Sequence, residues 1–212
     1  RLFFELHLQE NFDREKLKQA IAALMIALPV YRIYPDSFPP DAAEAELMNE
    51  AFDKAKQLKP ECMAELKHLQ QLYISEDLNF ILFLKRLMQF TGPLTAKGVE
   101  DTSFYVYNTL ISHNEVGDSP SVPAIPVEEF HNIMSARQQS NPLSLNATST
   151  HDTKRGEDAR MRINVLSELA AEWQQKVKQW YEINRSLHDG KISVNDEYFI
   201  YQSIIGSLPQ NL

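Results

Sequence analysis

The chain has 212 residues, 43% of them hydrophobic and 24% charged, with a formal net charge of −8. That length suits one large domain or two small ones with an adequate core, and the acidic balance argues against a nucleic-acid partner. A lone Cys62 excludes an internal disulfide and fits a reducing, cytoplasmic setting, while the longest apolar run, 20–30, is too short to cross a membrane.

Only six glycines occur, no two placed for a phosphate loop, and the eleven prolines leave long gaps at 61–92 and 143–208. Such gaps permit helices, so the expected fold is mainly α. Leu2, Phe3 and Leu6 read as the end of a helix. Leu17, Ile21, Leu24, Met25 and Leu28 share one face of a helix over 13–28, capped by Asp13 and stopped by Pro29. A second helix is predicted over 41–58 with Leu47 and Phe52 inward, and a third over 61–74 behind Pro60. Ser75 is the expected cap of a fourth, 76–90, with Leu78, Ile81, Leu84 and Met88 inward, ending at Gly92-Pro93.

Segments 93–99 and 143–150 read as extended, and 100–111 as a short helix carrying Phe104, Tyr105 and Tyr107. A long loop should cover 112–126, followed by helices over 127–138, 156–169, 170–185 and 195–207. Ser193 and Asp196 form a capping pair for the last. No internal repeat appears.

Polar groups gather beside the two extended segments, at 97–102 (KGVEDT) and 150–155 (THDTKR). Clusters at a strand end are where α/β folds place their sites. Equally, Asp101 and Asp152 could cap helices while Lys97, Lys154 and Arg155 stay solvated. His113, His131 and His151 lack metal-ligand spacing, so no metal and no cofactor are expected. No nucleophile elbow supports a serine triad. Trp173/Trp180 and Tyr198/Tyr201 read as core packing, and His68 and His188 as exposed.

Two strings, GPLTAKGVEDTSFYVYNTLISHNEVG at 92–117 and ATSTHDTKRGEDARMRINVLSEL at 147–169, closely resemble the maltooligosyl trehalose synthase family. That family lies within the α-amylase superfamily, glycoside hydrolase family 13. ALPVYRIY at 27–34 and NDEYFIYQSIIGSLP at 195–209 extend the resemblance over the chain. Departures are small: His113 replaces an apolar residue, a glycine is missing after Gly117, and Gly156 replaces a serine.

The resemblance implies an internal piece of a longer isomerase built on a (β/α)8 barrel, with 1–92 a helical insertion domain and 93–212 late barrel elements. The implied activity, part of trehalose biosynthesis, turns the reducing-end α-1,4 linkage of a maltooligosaccharide into an α,α-1,1 linkage. Nucleophile and acid/base would lie upstream of Arg1, leaving the isolated chain inactive; retaining chemistry needs both carboxyls. Asp152 matches the third carboxylate, a transition-state stabiliser, and His151 its partner on the same sugar. Lys97 and Lys154 match residues that hold the reducing-end glucose, with Glu100, Asp101 and Arg155 in the shell around it. The implied partners are the maltooligosaccharide and the missing barrel portion of the same chain. The alternative is a non-catalytic helical interaction or glycan-binding module.

Overall fold

Four helices begin on a side chain that closes the first turn. In the computed structural model, Asp13 accepts from the Lys16 amide at 2.9 Å, Asp41 from Glu44 at 2.8 Å, Asp77 from Phe80 at 2.8 Å and Ser193 from Asp196 at 3.1 Å. Each satisfies an amide that the helix itself leaves without a partner. The structure describes residues 1–9, 11–33, 38–75, 77–122, 124–187 and 190–209; His188 lies outside them. Among the described residues there are helices and turns but no strand, so the fold is mainly α. The chain divides into two units, 1–97 and 98–212.

The first unit holds α1 (Leu2–Glu5), α2 (Arg14–Ala27), α3 (Ala42–Leu58), α4 (Met63–Ile74, after a 3-10 turn Pro60–Cys62) and α5 (Leu78–Thr95). Helix α2 is central, packing on α3, α4 and α5. Leu17 and Leu24 are buried as their spacing predicts, with Ile21, Met25 and Leu28 half-buried beside them. They meet Phe52, Leu66, Leu84 and Met88 in one cluster, and Phe3 packs edge-on to Phe83 at 4.9 Å between ring centres. Each such side chain contributes roughly 1.5–3 kcal/mol on burial.

Three sequence expectations are corrected in this unit. Ser75 does not cap α5; it ends α4, donating to Leu72 O at 3.1 Å, and Asp77 is the cap. That two-residue shift turns Leu78 outward, 81% exposed, and the inward stripe becomes Phe80, Phe83, Leu84, Leu87 and Met88. Helix α5 also passes through Pro93 and runs on into a π-helical turn, Ala96–Glu100, so 93–99 is helical rather than extended. Pro93 and Gln89, whose carbonyl loses its helical donor there, both lie on the exposed side, where water can replace the bond. His68 is buried rather than exposed: its Nε2 is 2.6 Å from Leu8 O, and its ring stacks against Phe12.

The second unit holds 3-10 turns at Ser103–Tyr105 and Ile111–His113, then α6 (Val127–Ser140), α7 (Glu157–Glu168), α8 (Ala170–Asn184) and α9 (Val194–Ser207). Helix α7 packs on α9, on α8 and on the turn at Ile111–His113. Gly206 permits the α7–α9 approach, since a Cβ there would meet Ile163 Cδ1 at 2.8 Å. The buried apolar cluster is small: Ile111, Ile163 and Leu166, flanked by Leu110, Trp173, Phe199 and Ile205. Trp173 and Trp180 stack edge-on at 5.7 Å and Trp180 and Tyr201 at 5.1 Å, the packing role the sequence suggested.

Polar side chains do much of the remaining joining. Gln202 accepts from the Ile111 amide at 3.0 Å and donates to Asn108 O at 2.7 Å. Asn114 donates to Phe104 O at 2.9 Å and Tyr107 O at 2.6 Å. With these carbonyls held by side chains, 100–111 forms turns and not the expected short helix. Helix α6 contributes no buried residue, and 143–150 is exposed irregular backbone. No described helix is long and apolar enough to cross a membrane.

Candidate functional site

The 150–155 segment lies between exposed coil and the first turn of α7. Thr153 Oγ1 donates to Thr150 O at 2.9 Å, and the Asp152 amide donates to Thr150 Oγ1 at 3.3 Å, so the two threonines fold it into a turn. Next comes an anchor from the 111–117 stretch. The buried Glu115 carboxylate accepts from the Lys154 amide through Oε1 at 2.7 Å and from the Arg155 amide through Oε2 at 3.1 Å. Its Oε1 also takes the Val116 amide at 2.8 Å, and Arg160 Nη1 lies 3.5 Å from Oε2.

The side chains then divide. Lys154 Nζ donates to Asp101 Oδ1 at 2.6 Å and stands 6.0 Å from the centre of the Tyr105 ring. Its hydrogen bond to Asp101 holds the ammonium above the ordinary lysine range, so it stays charged. Arg155 Nη1 donates to Ile111 O at 3.2 Å, and its guanidinium lies 5.6 Å from the Phe199 ring centre. Burial lowers the Arg155 pKa, with Tyr105 and Glu115 opposing the shift. Glu100 is buried and accepts the Gly117 amide at 3.2 Å; Gly117 has φ 78°, a left-handed conformation that glycine adopts without strain.

His151 and Asp152 are exposed. Among the described residues the Asp152 carboxylate takes no hydrogen bond, and α7 starts at Glu157 on Gly156, so Asp152 is not a helix cap. Asp101 is no cap either; it is the partner of Lys154. The structure thus brings Asp101 to Lys154 and places His151, Asp152, Lys154 and Arg155 on one braced turn. Lys97 is the last residue of the first unit and is exposed. An open hollow of about 510 Å³ adjoins the turn, lined by Arg137 and 145–149.

Glu115, Asn108, Asn114 and Gln202 do not stand out in the sequence. The available signal was weak: polar residues, with no capping position, inside segments that otherwise supply buried apolar groups. His113 Nδ1 sits 3.7 Å from Asp118 Oδ2, and no described group of three or more His, Cys, Asp or Glu could hold a metal.

No family model matches the chain. Over 88 residues it is 47% identical to a maltooligosyl trehalose synthase of Mycobacterium tuberculosis, a match spanning 42% of this chain and 12% of that protein. The solved synthase of Arthrobacter ramosus superposes with TM-score 0.74 at 33% identity, over 91% of this chain and 24% of that one. One from Sulfolobus tokodaii gives TM-score 0.70 at 33% identity, over 99% and 25%. The chain therefore spans about a quarter of the length of these solved relatives.

Proposed function

From its likeness to the maltooligosyl trehalose synthases, in sequence over 42% of the chain and in fold over 91–99% of it, we propose that the chain is an internal stretch of such an enzyme. The complete protein would convert the reducing-end α-1,4 linkage of a maltooligosaccharide to α,α-1,1, as a cytoplasmic isomerase of trehalose biosynthesis in glycoside hydrolase family 13. The reaction consumes no water. An acid outside this chain protonates the glycosidic oxygen while a carboxylate, also outside it, attacks the anomeric carbon and forms a glycosyl-enzyme. The released glucose turns in place. Its anomeric hydroxyl then attacks the glycosyl carbon, displacing the carboxylate and giving its proton to the former acid.

Asp152 stabilises positive charge on the ring of the cleaved sugar, and His151 hydrogen-bonds the same sugar. One observation carries this assignment: Asp152 is exposed on a braced turn and, among the described residues, no cap or hydrogen bond occupies its carboxylate. Asp101 steers Lys154, Arg155 braces the turn from below, and Glu100 holds the following loop at Gly117. Lys154 grips the reducing-end glucose. Residues 1–92 would be the helical insertion, and 93–212 the late barrel elements.

The remainder of the enzyme is the expected cover for α6 and its sequel. Val127, Phe130, Ile133 and Met134 are exposed on that helix, and Leu143 and Leu145 are 94% and 95% exposed. Contiguous exposed apolar groups mark interaction surfaces. The test compares the isolated chain and the complete enzyme on maltopentaose. Trehalose-terminated product should come from the complete enzyme alone; rearrangement by the purified chain would show that the catalytic pair lies within these residues.

A further inference from the structure

Glu115 is a buried charge to which the proposed reaction gives no task, yet it holds the loop that carries Asp152. We infer that Glu115 is a positioning residue: its carboxylate fixes the backbone from which Asp152 reaches the sugar. This rests on reading Asp152 as the transition-state carboxylate.

Three observations carry it. First, the two oxygens divide between consecutive amides, Oε1 taking Lys154 N–H at 2.7 Å and Oε2 taking Arg155 N–H at 3.1 Å. Two anchors on neighbouring amides restrict both the position and the rotation of that peptide, and the Thr150–Thr153 turn passes the restriction to Asp152. Second, the segment has no helix or strand to hold it, so side chains must. Third, Glu115 is not simply the partner of a cation. Arg160 approaches only to 3.5 Å, and another of its amino groups is engaged by Thr148 O, whereas three amide bonds of 2.7–3.1 Å converge on the carboxylate.

An ionised carboxylate accepts at both oxygens, and bonds from amides to a charge are strong where water is scarce. Glutamine would present an NH₂ to one of the two amides, leaving a buried donor facing a donor. The loop would lose one anchor while the side-chain volume stayed the same.

The experiment uses the complete enzyme carrying Glu115→Gln, Asp152→Asn and both together. It reads kcat and KM for maltopentaose and amide exchange along the chain. Glu115→Gln should lower kcat by about 10- to 100-fold, the scale on which small misplacements act, with KM within about threefold. Exchange should quicken at Lys154 and Arg155 and stay unchanged at Ile163 in α7. Because the two residues act as a unit, the double variant should be no slower than Asp152→Asn. Unchanged turnover in Glu115→Gln beside a slow Asp152→Asn, or losses that multiply, would overturn the positioning role. Wild-type turnover in Asp152→Asn would instead remove the reading of Asp152, and this inference with it. Should Glu115→Gln fail to fold, Glu115→Asp decides. It keeps the charge facing Arg160 but falls short of the amides, so a roughly tenfold loss supports the role and full turnover refutes it.

Discussion

Residues 1–97 bury Phe3, Phe52, Phe80, Leu66 and Met88 in one continuous cluster. Residues 98–212 bury Ile111, Ile163 and Leu166 and tie much of the rest together through Gln202, Asn114 and Glu115. The first arrangement is non-directional and tolerant; any well-filled interior of that volume would hold it. The second is directional and holds particular carbonyls and amides in place, at the cost of a small core. Polar networks of this kind suit a region that must present groups accurately. They also leave apolar surface uncovered, as on α6.

That contrast can be broken by substitution. The largest effect is expected at Phe52, fully buried between helices of the first unit. Phe52→Ala should cost about 3–5 kcal/mol in urea unfolding, from lost transfer energy plus a cavity. A cost below about 1 kcal/mol would deny that the cluster holds this unit. Gln202→Leu comes next. It keeps an apolar body but strands the Ile111 amide and the Asn108 carbonyl, so a loss of about 1–3 kcal/mol is expected in thermal unfolding of the second unit. A neutral or stabilising result would mean that packing, and not the hydrogen bonds, joins α9 to the 108–111 turn. Phe130→Ala, on the open face of α6, should change the stability of the isolated chain by no more than about 0.5 kcal/mol. Anything near the Phe52 value would show that α6 already has a partner within the chain.

The two regions were also unequally legible in the sequence. Helix periodicity and the caps Asp13 and Ser193 located α2 and α9 closely, and periodicity alone placed α3, because these signals are local. Ser75 and Asp77 are both good caps, and only the helix that actually forms selects between them. Pro93 looked like a terminator because its exposure, which makes it tolerable inside α5, depends on tertiary structure. The polar stretches at 97–102 and 150–155 were visible as clusters. Their division into an exposed pair, His151 and Asp152, and a braced pair, Lys154 and Arg155, was not. That division comes from Glu115, Asp101 and Ile111, which approach from 39 to 53 residues away. Resemblance supplied the roles of these residues, and periodicity could not have done so.

The central claim is that the braced turn serves chemistry rather than folding, and Asp152 bears it most directly. Asp152→Asn in the complete enzyme, assayed at saturating maltopentaose, keeps shape and an acceptor but removes the negative charge. Interactions stronger in the transition state appear in the rate constant, so turnover should fall by about 10²–10³-fold while KM stays within about tenfold. Turnover close to that of the unmodified enzyme would contradict the claim and leave the 150–155 turn a structural connection between exposed coil and α7.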